Sequence, residues 1–223
     1  MLNPQPISFS IPAVQRPWDA RLARRLVAPL IDSWVRPNHL TTLRLLVGLA
    51  AAAAFLPGRY AWSNVAALLL VLSNFLDHTD GELARMSGKT SRIGHIYDLA
   101  SDAIVTILLF IAIGVGVGAK PGLDLSVPPA ALGLIAGSAI ALIFYLRMRI
   151  EELLGKTATR QASLGGFETE DVLYLFPLAT LSDSLVPLLL AAAVCAPMFA
   201  VWVVFDYQRV LRKDRRMASG VVG

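Results

Sequence analysis

Long apolar runs alternate with short polar breaks along this chain. The runs cover about residues 41–57, 61–85, 92–118, 129–153 and 184–210, and a shorter one, DVLYLFPLATLS, begins near Asp171. A bilayer-spanning helix needs roughly 20 predominantly apolar residues. Each run is therefore read as a span, with the first and fifth short enough to tilt or lean on neighbours. The breaks after those two are very short, which predicts antiparallel hairpins. Before the first run, RPWDARLARRLVAPLIDSWV sets Leu22, Leu26, Leu30 and Trp34 at helical spacing, with Trp18 at its start. Arg21, Arg24 and Arg25 lie mainly on the other side. This pattern predicts a helix lying in the membrane interface rather than an ordinary surface helix, and Trp at both ends favours that reading. The expected fold class is an all-α polytopic membrane protein with six transmembrane helices plus an N-terminal interfacial amphipathic helix. The expected divisions are 1–40 for the N-terminal segment, 41–210 for a six-helix transmembrane catalytic domain and 211–223 for a basic cytoplasmic tail.

Composition agrees. The chain is 56% hydrophobic and 16% charged, against about 45–50% and about 25% for a soluble domain. With both termini cytoplasmic, every Lys and Arg except Arg59 and Lys120 falls on the cytoplasmic side, as the positive-inside rule requires of an even number of spans. The net charge of +4 then reflects topology and argues for no nucleic-acid partner. Cys195 stands alone in an apolar run, which excludes a disulfide framework and reads as packing. The start MLNPQPISFSIPAV lacks a basic stretch followed by an apolar core, so no cleavable signal peptide is expected.

One stretch breaks the apolar pattern with acid. LDHTDGELARMSGKTSRIGHIYDLASD carries Asp77, Asp80, Asp98 and Asp102 between the second and third runs. At about 100° per residue, Asp80, Gly81, Ala84 and Arg85 fall within about 80° of Asp77 on one helical face. Gly94, Asp98 and Asp102 repeat every four residues on the next helix, again one face. If the intervening turn folds these helices antiparallel, the four carboxylates share one partly dry pocket. They would repel strongly unless cations lie between them. Hard oxygen ligands without His or Cys point to Mg²⁺, Mn²⁺ or Ca²⁺ rather than zinc. Two such ions would clamp a phosphate or diphosphate. Small residues at Gly81 and Ala84 let a ligand approach the helix, and Arg85 suits phosphate oxygens. Solvated helix ends explain one or two of these aspartates, but not four on two matched faces.

The spacing Asp77-x2-Asp80-Gly81-x2-Ala84-Arg85-x8-Gly94-x3-Asp98-x3-Asp102 resembles the signature of the CDP-alcohol phosphatidyltransferases at every position. Chance agreement at these identities is on the order of 10⁻⁹ per window. Pro37-Asn38-His39-Leu40-Thr41 is similar to the Pro-Asn-x-x-Thr that family members often carry before the first span. The resemblance implies an integral-membrane enzyme that moves a phosphatidyl group from CDP-diacylglycerol to an acceptor alcohol and releases CMP. It implies that Asp77, Asp80 and Asp98 are the main ligands of two Mg²⁺ or Mn²⁺ ions. Asp102 would be the general base and a further ligand. Gly81, Ala84, Arg85, Gly94, Asn38 and Thr41 would lie at the nucleotide. Expected partners are the CDP-lipid, a small polar acceptor and membrane lipids; a homodimer is left open. Both termini and the active site are expected in the cytoplasm.

The acceptor is less constrained. Arg92, Arg147 and Arg149, with Lys156 and Arg160, are candidates for an acceptor phosphate, though positive-inside topology alone accounts for them. The flank TSRIGHIYDLASD looks nearer to CDP-diacylglycerol users than to choline and ethanolamine transferases. GGFETEDVLYLF is acidic where inositol-phosphate users often carry arginines, which argues against that acceptor. His78 and His95 read as lining residues, Gly114, Gly116 and Gly118 as helix-packing positions, and Glu151 and Glu152 as water-facing. A cation or proton-coupled transporter predicts acids near mid-bilayer and internal repeats, and neither is present. An intramembrane prenyltransferase predicts two Asp-rich motifs on distant helices, whereas here both halves are consecutive.

Overall fold

A computed structural model describes residues 18–123, 125–154 and 174–220. Lys156, Arg160 and the start of the fifth apolar run lie outside them. The described residues form α1 (Trp18–Val27), a 3-10 turn (Ala28–Leu30), α2 (Pro37–Phe55), α3 (Tyr60–Ser87), α4 (Arg92–Gly118), α5 (Pro129–Leu154), α6 (Phe176–Leu181) and α7 (Leu185–Gly220). Among the described residues, four helices are long and apolar enough to cross a membrane: Pro37–Phe55, Arg92–Gly118, Pro129–Leu154 and Leu185–Lys213. The expected second span is helical as α3, but Ser63, Asn64, Ser73 and Asn74 dilute its apolar character. α6 has six residues, about 9 Å of axis, far short of a crossing by itself.

The boundaries follow local chemistry. Pro37 opens α2, where its missing N–H costs no hydrogen bond. Arg36 is extended before it, and its N–H donates to His39 Nδ1 at 3.2 Å. α3 stops at Gly88, whose φ of 66° suits glycine. Ser91 caps α4 by accepting the Gly94 N–H at 2.9 Å. Four residues, Gly88 to Ser91, thus reverse the chain between α3 and α4, the antiparallel arrangement the acidic motif requires. Lys89 Nζ ties this turn to the segment before α2, donating to Ile31 O at 3.1 Å and Ser33 O at 3.2 Å.

α2 packs between α3 and α4, α4 packs on α5, and α5 on α7. One apolar cluster joins Ala51 and Phe55 of α2, Ala66 and Leu70 of α3, Leu109, Ile113 and Val117 of α4, and Leu189 of α7. A second joins Ile143, Leu146 and Ile150 of α5 to Ala200 and Val203 of α7. Gly114 and Gly116 near the end of α4 work as expected in close packing, since a Cβ on either would lie 2.2 Å from a backbone oxygen, Pro129 O and Phe55 O, whereas Gly118 has room for one. α1 rests on α3, with Ala23 and Val27 buried and Leu22 and Leu26 exposed. Cys195 is exposed, not packed inside the bundle.

Candidate metal and phosphate site

The site forms where the start of α2, the end of α3 and the start of α4 meet. Asp77, Asp98 and Asp102 each bring a carboxylate oxygen to within 4.8 Å of the others. Their side chains are 32%, 38% and 47% exposed, so the cluster has an open side. Asp80 stands apart from this triad. It is buried, and its Oδ2 accepts a hydrogen bond from Thr41 Oγ1 at 2.8 Å.

The dry side of the cluster is closed by a residue the sequence reading had counted only toward topology. Arg44 of α2 is 3% exposed. Its Nη1 donates to Asp77 Oδ1 and lies 2.8 Å from Asp102 Oδ1. Its Nη2 lies 3.1 Å from Asp98 Oδ1 and 3.2 Å from Asp98 O. Pro37, Thr41, Arg44 and Gly48 are all buried along one stripe of α2. An ionisable residue about 10 Å inside an apolar helix is a functional candidate by default, and that signal was available in the sequence.

The other candidates occupy several positions. Gly94 faces Asn38: a Cβ there would lie 2.8 Å from Asn38 Oδ1. Arg85 is largely exposed, runs past Gly81 and donates to Glu82 Oε1 at 3.0 Å. Ala84 is half-buried on the same helix, and Arg92 is exposed in the first turn of α4. The remaining arginines are engaged elsewhere. Arg147 lies over the Phe199 ring at 5.3 Å. Arg149 pairs with Glu152 and hydrogen-bonds Tyr207. Glu152 does more than face water, since it also meets His95 Nε2 at 3.3 Å. That contact joins the start of α4 to the end of α5.

The donor set fits a hard divalent cation. Three carboxylates from two helices converge with oxygen atoms only, and their charge is otherwise met by one guanidinium.

Comparison with known proteins agrees with this chemistry. The profile described as CDP-alcohol phosphatidyltransferase matches residues 34–207. The chain is 39% identical over 97 residues to a CDP-diacylglycerol–glycerol-3-phosphate 3-phosphatidyltransferase of Cereibacter sphaeroides, covering 43% of each. It is 33% identical over 106 residues to an archaetidylinositol phosphate synthase of Pyrococcus horikoshii, covering 46% of this chain and 52% of the relative. It is also 33% identical over 106 residues to cholinephosphotransferase 1 of Danio rerio, covering 41% of this chain and 26% of the relative. The matches thus span about half or less of each relative's length.

Proposed function

This chain belongs to the CDP-alcohol phosphatidyltransferase family, and we propose that it moves a phosphatidyl group from CDP-diacylglycerol to a small acceptor alcohol, releasing CMP, in phospholipid biosynthesis. The reading is carried by the convergence of Asp77, Asp98 and Asp102 at one open end of an apolar bundle. Family membership favours it over the transporter and prenyltransferase alternatives.

Family members use divalent metal ions. Asp77, Asp80, Asp98 and Asp102 would hold two Mg²⁺ or Mn²⁺ ions here, which would polarise the phosphoryl oxygens and neutralise the leaving nucleotide. The acceptor oxygen attacks the phosphorus that bears the lipid. That P–O bond forms as the P–O bond to CMP breaks, and CMP leaves with the electron pair. Asp102 takes the hydroxyl proton. It is the most exposed of the converging carboxylates, so an alcohol from water reaches it. Thr41 fixes Asp80 through its hydroxyl. Asn38 and Gly94, in close approach, line the nucleotide side with Gly81 and Ala84. Arg85, with its exposed guanidinium, meets phosphate oxygens. Arg92 is the best placed acceptor residue, because Arg147 and Arg149 have partners on α7 and α5.

The proposed arrangement in the membrane has six crossings. α3, at 28 residues, is about 42 Å long and suffices for one, and the apolar run that ends in α6 would supply the fifth. Arg85, Lys89, Arg92, Arg147 and Arg149 lie toward the acidic end. Arg59 and Lys120 lie at the other end, where Tyr60 O–H donates to Leu181 O at 3.1 Å and Lys120 pairs with Asp183 at 2.6 Å. The positive-inside rule then favours a cytoplasmic site and cytoplasmic termini. Residues 1–40 form the interfacial segment, with the exposed Leu22 and Leu26 of α1 toward lipid. Residues 41–210 form the catalytic membrane domain and 211–223 the basic tail. Acyl chains then stay in lipid while nucleotide and acceptor exchange with water.

The test is CMP release by the purified chain in detergent with Mg²⁺ and CDP-diacylglycerol. The acceptors would be glycerol 3-phosphate, inositol phosphate and an unphosphorylated polyol. Acceptor-dependent release that stops in excess EDTA is expected. Release that no acceptor stimulates, or that EDTA leaves intact, contradicts the proposal.

A further inference from the structure

Arg44 and a divalent cation have a claim on the same oxygen atoms. The three carboxylates that converge are the three that the guanidinium holds, and it holds all of them with two nitrogens. The arginine reaches them from the dry side, while their open side faces outward. A Mg²⁺ ion bonds oxygen at about 2.0–2.1 Å. An ion ligated by these carboxylates would therefore sit only a few ångströms from a fixed positive charge. At that range two cations repel appreciably even at the effective dielectric of a protein surface.

We propose that Arg44 is a positioning residue: it is the internal counter-cation of the metal-free site, holding Asp77, Asp98 and Asp102 in their ligating arrangement until a divalent cation displaces it. The inference rests on the metal reading above and adds to it a resting state. Without such a charge, three clustered carboxylates would push the end of α3 and the start of α4 apart. Arg44 joins both helices to α2 through side-chain contacts to Asp77 and Asp98 and through the Asp98 carbonyl. Its own backbone is tied to α3, since Ser73 Oγ donates to Arg44 O at 3.1 Å. The guanidinium end is thus free to yield while its helix stays in place. A divalent ion carries enough charge to take over the carboxylates, and the displaced guanidinium sets a threshold for binding.

The full-length protein in detergent tests this by two readouts that need no turnover: Mn²⁺ titration followed by electron paramagnetic resonance, and thermal unfolding in EDTA or in saturating Mn²⁺. Arg44→Met removes the charge and keeps an unbranched apolar side chain. It should unfold at a lower temperature than wild type in EDTA, recover most of that loss in Mn²⁺, and bind Mn²⁺ about tenfold or more tightly. Arg44→Lys keeps a charge but not the fork that grips several carboxylates at once, so its Mn²⁺ affinity should fall between the two. A residue that merely scaffolds the site predicts the opposite sign, because losing it would scatter the ligands and weaken Mn²⁺ binding. Weaker or unchanged Mn²⁺ binding in both variants overturns the proposal. So does an Arg44→Met protein that stays unfolded in saturating Mn²⁺, since the ion should then replace the guanidinium. Wild-type protein that binds no Mn²⁺ would instead overturn the metal reading itself.

Discussion

Thr41→Val isolates one hydrogen bond at the edge of the site. The substitution keeps the shape of the side chain and deletes its hydroxyl. Thr41 Oγ1 lies 2.8 Å from Asp80 Oδ2 and 3.2 Å from Pro37 O. A hydroxyl has one proton, and the shorter contact, to Asp80, takes it. Both residues are buried, so water does not replace the lost donor. Leaving a buried acceptor without its donor costs about 1–3 kcal/mol. For a chain of this size that corresponds to about 2–12 °C in Tm. The loss should be largest in EDTA and smaller in saturating Mg²⁺, where the cation supplies Asp80 with a partner. Thr41→Ser keeps the hydroxyl and should stay near wild type. The assay is thermal unfolding of the three proteins in detergent, with and without Mg²⁺. If Thr41→Val matches wild type in EDTA, the hydroxyl does not anchor Asp80. If its deficit is the same with and without Mg²⁺, Asp80 is not a ligand.

Three further expectations use other parts of the fold. Gly94→Ala places a methyl 2.8 Å from Asn38 Oδ1 and 3.0 Å from Ser91 Oγ; it should weaken a CDP-binding titration about tenfold while costing less than about 1.5 kcal/mol in stability. Gly116→Val forces side-chain atoms against the Phe55 carbonyl, 2.2 Å from the Cβ position, and should lower stability by about 1–3 kcal/mol or more, read by thermal unfolding with residual activity per folded molecule unchanged. Single cysteines introduced into a Cys195→Ser background at Arg59 and at Gly122 should react with an impermeant reagent from outside intact cells. One at Lys89 should not, and labelling there would invert the proposed orientation.

The helices were legible where the hydrophobic pattern was continuous. The expected third run coincides with α4 (Arg92–Gly118), and the fourth differs from α5 by one residue. The short polar break between α3 and α4 was legible as a gap between two apolar runs, and Gly88 and Ser91 set its ends in the structure. The acidic motif was legible because spacing along a helix fixes a face regardless of what packs on it. What the pattern could not supply was partners distant in sequence. Arg44 looked like one more basic residue near a membrane surface; only the packing of α3 and α4 on α2 brings three aspartates to it. Arg147 and Arg149 read as acceptor candidates or as topology residues, and the neighbours they meet, Phe199 and Tyr207, come from far along the chain. α1 illustrates a narrower limit. Helical spacing picked out its large residues, Leu22 and Leu26, while the face packed on α3 uses the smaller Ala23 and Val27.

The central claim is a division of labour, with Asp80 holding a divalent ion and Asp102 taking the proton. It is tested most directly by pairing a Mg²⁺-dependent CDP-binding titration with the turnover assay on Asp80→Asn and Asp102→Asn. Asp102 lies one helical turn beyond Asp98 and is the more open of the two. Asp102→Asn should still bind CDP with Mg²⁺, while transfer falls by roughly 10²–10⁴, the usual range for lost acid–base help. Asp80→Asn should lose metal and nucleotide binding together. If Asp102→Asn loses CDP binding as severely as Asp80→Asn, Asp102 is chiefly a ligand. If it turns over at the wild-type rate, another group takes the proton and the account is wrong.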